Sequence, residues 1–180
     1  MLPQDDLTKL MIQQATNALN AVSATLERLK AEMLNRASLL PEFPVVMEMR
    51  GMGDSLGPQL MAEIGDVTRF ARRSAITSFA GVDPGADESG NHKAKSVPTS
   101  KSGPPELRKA LFLVMDCLLQ TKPQDDPVYC FMDKKRAEGK PYLVYMTAGA
   151  NKFLRIYYGR VKEYLASLEQ PPATDSNQSI

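Results

Sequence analysis

Residues 106–119, ELRKALFLVMDCLL, form a strongly apolar stretch of the chain. Its apolar side chains recur every three or four residues, at Leu107, Ala110, Leu111, Val114, Met115 and Leu118. Positions three and four apart share one face of an α-helix, so this spacing predicts a helix whose apolar face is buried in the core. We therefore expect an all-α domain built around this core helix.

Helical segments also follow the core helix. Residues 128–138 are predicted to form a helix that contains the basic run DKKR at 133–136 and ends at Gly139. After Pro141, residues 142–168 are predicted to form one long final helix. The basic run is compatible with a solvated helix face or with a contact to DNA or RNA, and sequence alone leaves both open.

Upstream of the core helix, residues 45–70 resemble a helix-hairpin-helix. A short apolar helix precedes the turn Gly51-Met52-Gly53, and a second helix is predicted around residues 59–64, ending near Gly65. The glycines would let the backbone approach a phosphate, and amides at the start of the second helix would donate to it. This predicts DNA contact at Gly51 and Gly53 without reading of base sequence; a plain helix-loop-helix packing motif is the alternative.

A third helical stretch, residues 72–80, directs Ala75, Ile76 and Phe79 inward. Near its start lies a basic cluster of Arg69, Arg72 and Arg73. We predict that these three arginines contribute DNA contacts beside the hairpin.

The first forty residues have a different pattern. Apolar residues alternate at intervals of three and four along Ile12, Ala15, Leu19, Val22, Leu26, Leu29 and Met33. This seam predicts a coiled coil, and hence a homo-oligomer, over residues 1–40, ended by Pro41 and Pro44. The alternative is a single amphipathic helix packed on its own domain.

Residues 81–105, GVDPGADESGNHKAKSVPTSKSGPP, are rich in Gly, Pro, Ser and Lys. Connections in compact domains usually have about 4 to 6 residues, so a loop this long is either disordered or functional. Lys93, Lys95 and Lys101 follow Ser89 and make the second half of the loop basic, so we predict DNA contacts there. Residues 171–180 form a polar tail that we expect to be disordered.

Composition narrows the function classes. Lys+Arg total 22 and Asp+Glu 21, so net charge gives no bulk argument for nucleic-acid binding. The sequence has neither an apolar run of membrane-spanning length nor a secretion signal, and we expect a cytoplasmic protein without a membrane partner. Cys117 and Cys130 lack metal-ligand spacing, so no metal site is predicted.

A set of short motifs carries a family resemblance over residues 39–168. In chain order they are LPEFPVVMEMRGMGDSLGPQLMAEIGDVTRF, FAGVDP, ESG, SKSG with LRKALF, and EGKPYLVYMTAGANKFLRIYY. This ordered set resembles the C-terminal domain of the bridge-RNA-guided insertion-sequence transposases, relatives of the Piv-type DNA invertases. The resemblance implies an all-α domain, here residues 41–170, that acts in DNA transposition and recombination.

The resemblance also implies roles for individual residues. The family's SG motif falls on Ser89-Gly90, which makes Ser89 the nucleophile that attacks a DNA phosphate and forms a transient phosphoserine link. The SKSG segment, residues 100–103, and Arg108 match the family's basic segment after the serine and are expected to contact DNA phosphates. DNA and a guide RNA are the implied partners.

Two departures from the family pattern stand out. Arg50 occupies the place where the family commonly has proline before the GxG turn, which puts the hairpin geometry in question. The family's RuvC-like domain holds divalent metal with four acidic residues, and no such cluster precedes residue 39. We therefore expect a truncated or partial protein, inactive alone, whose metal cofactor belongs to a missing N-terminal domain. The rival hypothesis is a noncatalytic DNA-binding or oligomerisation protein with an idle Ser89.

Overall fold

The computed structural model describes residues 6–83 and 102–169. Within these two ranges the chain forms seven α-helices and one short 3-10 turn, with no β-strand, so the all-α prediction is confirmed. The helices are α1 (Asp6–Ala37), α2 (Phe43–Met47), α3 (Leu56–Ile64), α4 (Arg73–Ala80), α5 (Pro105–Thr121), α6 (Pro127–Ala137) and α7 (Tyr142–Glu169), and the 3-10 turn is Val67–Arg69.

Helix α5 is the centre of the core, as its apolar spacing predicts. All six residues of its apolar face are buried. The helix packs against α3, α4, α6 and α7, so each of its sides except the solvent side has a helical neighbour. The removal of these side chains from water provides the main stabilisation of the domain.

The long helix α7 connects the remaining elements to this core. It packs along α6 and α4, and also contacts α2, α5 and the 3-10 turn. Gly149 of α7 lies directly against Met132 of α6 and Met115 of α5, where a Cβ atom would collide with both side chains. Small residues let helix axes approach closely, so Gly149 sets the distance at which α5, α6 and α7 meet.

The hairpin region has two helices in the predicted order, but the second starts earlier than predicted. Helix α3 begins at Leu56, not at residue 59, because the amide of Gly57 already donates to the carbonyl of Gly53. Pro58 is tolerated there, since the first turn of a helix needs no amide donor. The predicted end is confirmed: Gly65 caps α3 with a φ of 65°.

Helix α1 is longer than its seam and is almost entirely exposed. It has 32 residues, of which only Ala37 is buried. The large seam side chains Leu19, Val22 and Leu29 are each more than half exposed, at 66%, 67% and 58%. The alternative in which this face packs on its own domain is therefore absent from the described structure. Pairing of the seam with a second copy stays a prediction.

The described helices include none that is both long enough and apolar enough to cross a membrane.

Candidate nucleic-acid interface

The two glycines of the predicted hairpin turn have different environments. Gly51 has a φ of 83°, in the left-handed region that glycine adopts without strain. A Cβ atom at this position would lie 2.9 Å from Cγ1 of Val114 and 3.3 Å from its carbonyl oxygen. Gly51 thus lets the turn pack onto the core helix α5.

Gly53 is exposed, and a Cβ atom there would meet nothing within 4 Å. The backbone amides that follow it, at Asp54, Ser55 and Leu56, donate to no described residue. They precede and begin α3, where the helix dipole favours an anion. The exposed carboxylate of Asp54 opposes this effect, since it puts negative charge at the same turn.

Arg50, the residue at the family's proline position, ties the turn to the α5–α6 connection. Its Nη2 lies 2.9 Å from Oδ2 of Asp125. The hydrogen bond from Arg50 is the main reason that the pKa of the Asp125 carboxyl lies below its usual range. A neighbouring residue, Asp126, caps α6 by accepting hydrogen bonds from the amides of Val128 and Tyr129.

Arg69 of the predicted cluster makes contacts within the fold. Its Nη2 donates to the carbonyl of Ile64, the last residue of α3, at 2.7 Å. The guanidinium also lies over the rings of Phe70 and Phe79, 4.6 Å and 4.5 Å from their centroids. A planar guanidinium stacks well on aromatic faces, so Arg69 joins α3 to α4 while remaining exposed at its edge.

The other two arginines of the cluster lie at the start of α4. Arg72 is exposed and holds the N-cap position with extended backbone. Arg73 lies across α7, with Nη2 3.4 Å from the place that a Cβ atom of Gly159 would occupy. All three arginines are exposed, and Arg69 and Arg73 also make contacts within the fold. Whether they contact DNA stays a prediction.

The predicted nucleophile Ser89 and the basic residues Lys93, Lys95 and Lys101 lie outside the described residues. Their flanks are described, and the two flanks lie together. The backbone of Gly103 lies against the carbonyl of Phe79 and the backbone of Ala80. The chain therefore leaves α4 and returns to α5 at one place on the fold.

Side chains hold this place on both sides. Arg108, a predicted DNA contact, donates from Nη1 to the carbonyl of Gly103 at 2.5 Å. On the other flank, the hydroxyl of Ser78 lies 2.6 Å from Oδ2 of Asp83, and Asn151 of α7 donates to the carbonyl of Val82 at 3.4 Å. The position of Arg108 gives it a structural role that its sequence motif alone did not reveal.

The sequence analysis predicted no nucleic-acid contact in α7. This helix nevertheless carries exposed or half-exposed cations at Lys152, Arg155, Arg160 and Lys162. Lys152 lies over the ring of Phe131 in α6, 4.7 Å from its centroid, and Lys135 lies over the same ring at 5.6 Å. The signal that could have found them is the lack of any Asp or Glu in residues 142–162.

Other titratable groups give no catalytic constellation in the described ranges. No three His, Cys, Asp or Glu residues there could hold a metal ion together. Cys117 and Cys130 are both free thiols. Burial, with a smaller effect of the Glu42 charge, raises the pKa of the Tyr157 hydroxyl far above its usual range, so this hydroxyl stays neutral.

The fold and these surfaces define an all-α domain with a glycine turn, exposed cations and a closed loop base. Residues 44–130 match the family described as Transposase IS116/IS110/IS902. This region of the chain is similar to that transposase family, so the resemblance inferred from the motifs is confirmed.

Individual relatives agree with the family match. An insertion element IS110 uncharacterized 43.6 kDa protein of Streptomyces coelicolor is 22% identical over 163 residues, 91% of this chain and 39% of the relative. A pilin gene-inverting protein of Moraxella bovis is 30% identical over 132 residues, 73% of this chain and 38% of the relative. A pilin gene-inverting protein of Moraxella lacunata is similar to the same extent. The chain thus spans about two fifths of the length of these relatives.

Proposed function

We propose that this chain acts in DNA transposition or inversion, as the DNA-binding and serine-bearing part of a transposase. The family match and the similarity to pilin gene-inverting proteins support this proposal. The observation that carries it furthest is the closed base of the loop, where Gly103 lies against the end of α4. The two described flanks of the serine-bearing segment thus lie together on the domain, which suits an enzyme that carries its nucleophile between two fixed elements.

The proposed reaction is a transesterification on DNA. The Oγ atom of Ser89 attacks a backbone phosphorus, one P–O bond of the DNA breaks, and its oxygen leaves as a hydroxyl. The serine proton passes to a base and from there to the leaving oxygen, and the new phosphoserine ester keeps the phosphate activated for rejoining. Within this chain, Lys93, Lys95 and Lys101 would offset phosphate charge near the serine, and Arg108 would do so at the loop base.

DNA binding would come first through the hairpin turn. Gly53 leaves open space for a phosphate, and the amides of Asp54, Ser55 and Leu56 are free to donate among the described residues. Arg72 and Arg73 would add phosphate contacts from the start of α4. Such contacts read no bases, so we propose that guide RNA specifies the DNA target, as the resemblance implies.

Self-association would proceed through α1. Ala21, Val22, Thr25, Leu26 and Leu29 line a shallow apolar groove on this exposed helix. A seam of this kind left in water is unfavourable, and a second copy of the same helix would cover it with matched spacing.

A noncatalytic DNA-binding or oligomerisation protein is the second candidate. The exposed turn at Gly53 and the exposed seam of α1 favour it equally, because neither feature needs a working serine.

A strand-exchange assay separates the two functions. The chain is combined with a RuvC-like metal-binding domain from a relative, supplied in trans, together with donor and target DNA. The transposase proposal expects recombinant product that depends on both proteins. DNA binding without product under any combination favours the noncatalytic protein.

A further inference from the structure

Helix α7 carries a row of positions at intervals of three and four residues: Lys152, Arg155, Gly159 and Lys162. Such spacing puts the four positions on one face of the helix. Arg155 and Lys162 are exposed, and Lys152 and Gly159 are half-buried. The face is therefore open to solvent along its length.

The gap in this row of cations, at Gly159, is filled from another helix. The guanidinium of Arg73 lies on the bare backbone of Gly159, with Nη2 3.4 Å from the position of a Cβ atom. The row together with Arg73 forms four cations in succession, which we call the α7 stripe: Lys152, Arg155, Arg73 and Lys162. The missing side chain at position 159 makes the stripe continuous.

Internal contacts hold both ends of the stripe in place. At one end the ammonium of Lys152 lies over the Phe131 ring. At the other, Lys162 donates to the hydroxyl of Tyr158 at 3.1 Å, and that hydroxyl donates to the carbonyl of Phe70 at 2.9 Å. Fixed cations lose less conformational entropy on binding an anion than free ones do.

The stripe has no ion pair within the described part of the chain. Lys152, Arg155, Arg73 and Lys162 form no ion pair with any described carboxylate. Of the acidic residues of α7, Glu163 lies four residues after Gly159, at the Lys162 end of the same face, and Glu169 lies beyond the stripe. Four unpaired cations side by side repel one another, so the surface favours a partner with regularly spaced negative charge.

We propose that the α7 stripe binds the phosphodiester backbone of a nucleic acid. From Lys152 to Lys162 the helix rises about 15 Å, at about 1.5 Å per residue. A stripe of this length can contact more than one phosphate of a single strand.

The stripe also leads to the loop base. Asn151, which bonds the Val82 carbonyl, precedes Lys152 directly, and Arg73 begins the helix that ends at the loop. A strand held on the stripe would therefore pass close to Val82 and Asp83, the last described residues before the segment that contains Ser89. This inference rests on the proposed function, to which it adds a surface that binds one strand of the nucleic acid.

The test is titration of labelled duplex DNA, and of a duplex RNA of equal length, over a range of salt concentrations. The stripe variant carries Lys152→Gln, Arg155→Gln and Lys162→Gln. Its control carries Lys9→Gln, Arg28→Gln and Lys140→Gln, an equal loss of charge from three exposed residues elsewhere. A second variant, Gly159→Leu, keeps the net charge but places a side chain where the Arg73 guanidinium lies. Leucine has a higher helix propensity than glycine, so the substitution should not weaken α7 itself.

With each phosphate contact contributing about 0.9 to the slope of log K against log salt, the stripe variant should lower that slope by nearly 3. At low salt it should bind tenfold or more weakly than the control, and Gly159→Leu should also bind more weakly than wild type. The nucleic acid whose affinity falls more in the stripe variant is the one that binds the stripe. If wild type binds nucleic acid and both stripe variants bind DNA and RNA with wild-type affinity and salt slope, the stripe is not a binding surface. The proposed function is unaffected by that result. If wild type binds neither polymer, the proposed function itself fails.

Discussion

The Nη2 atom of Arg73 lies 3.4 Å from the site that a Cβ atom would occupy on Gly159, so that a glycine of α7 seats an arginine of α4. Glycine in the middle of a helix costs about 0.5–1 kcal/mol relative to alanine. At 3.4 Å a Cβ atom would make ordinary van der Waals contact with the guanidinium, so we expect a side chain larger than that of alanine to displace Arg73. The contact between Arg73 and Gly159 thus belongs both to the packing of α4 on α7 and to the charged surface of the α7 stripe.

Substitution of the two glycines of the turn should have different effects on the stability of the fold. Gly51→Ala should destabilise the fold by about 1–3 kcal/mol, because φ is positive there and the new methyl group meets Val114. Gly53→Leu should change stability by less than about 0.5 kcal/mol, since its surroundings are open.

Urea unfolding measures both changes in stability, and DNA titration measures the effect of Gly53→Leu on binding. Gly53→Leu should weaken duplex binding with little change in the salt slope, because contacts from neutral backbone amides release no counterions. DNA binding by Gly53→Leu equal to wild type would remove the hairpin turn from the proposed interface.

The Arg50–Asp125 pair should give a pH-dependent contribution to stability. The pKa of Asp125 in the fold lies below the ordinary 3.8, mainly through the hydrogen bond from Arg50. The pair therefore stabilises the fold above about pH 4, and this contribution is lost as the pH falls through the folded-state pKa. Arg50→Gln should be slightly less stable than wild type at pH 7 and equal to it near pH 2.

Unfolding midpoints in urea at both pH values measure this difference. Lys140→Gln, which removes an exposed cation outside any described ion pair, is the control and should show no such change. A deficit of Arg50→Gln that persists at low pH would mean that Arg50 acts through packing and not through its charge.

The seam of α1 should govern self-association. Leu19→Lys with Leu26→Lys puts two charges into the apolar seam and should convert the oligomer to a monomer, since buried unpaired charges are costly. Sedimentation at tens of micromolar measures the state. Ala24→Lys adds a charge on the opposite face of the same helix and should leave the oligomer intact. A wild-type protein that is monomeric under these conditions would contradict the prediction.

The sequence predicted the helices well, because their signals are local. All six apolar positions of α5 are buried, and the end of α3 at Gly65 follows from a single glycine cap. The start of α3 was missed, since it depends on the Gly57 amide bonding the Gly53 carbonyl inside a turn.

The parts of the site that needed tertiary structure could not be predicted. Arg73 and Gly159 are far apart in the chain and meet only because α4 packs along α7. The cluster of three arginines appeared uniform in sequence, but Arg69 is stacked between Phe70 and Phe79. For Ser89, the family motif is the source of its predicted role, which remains a prediction.

The most direct test of the central claim is trapping of a covalent protein–DNA adduct. The chain, a RuvC-like domain supplied in trans and labelled DNA are mixed, denatured and separated on a gel, with protease digestion to identify adducts. Ser96→Ala, in the same segment, is the matched control for Ser89→Ala, and duplex binding is measured for both. The account predicts a protease-sensitive adduct with wild type and Ser96→Ala, and none with Ser89→Ala despite duplex binding within about twofold of wild type. An adduct that persists in Ser89→Ala would contradict it, because the nucleophile would then lie elsewhere.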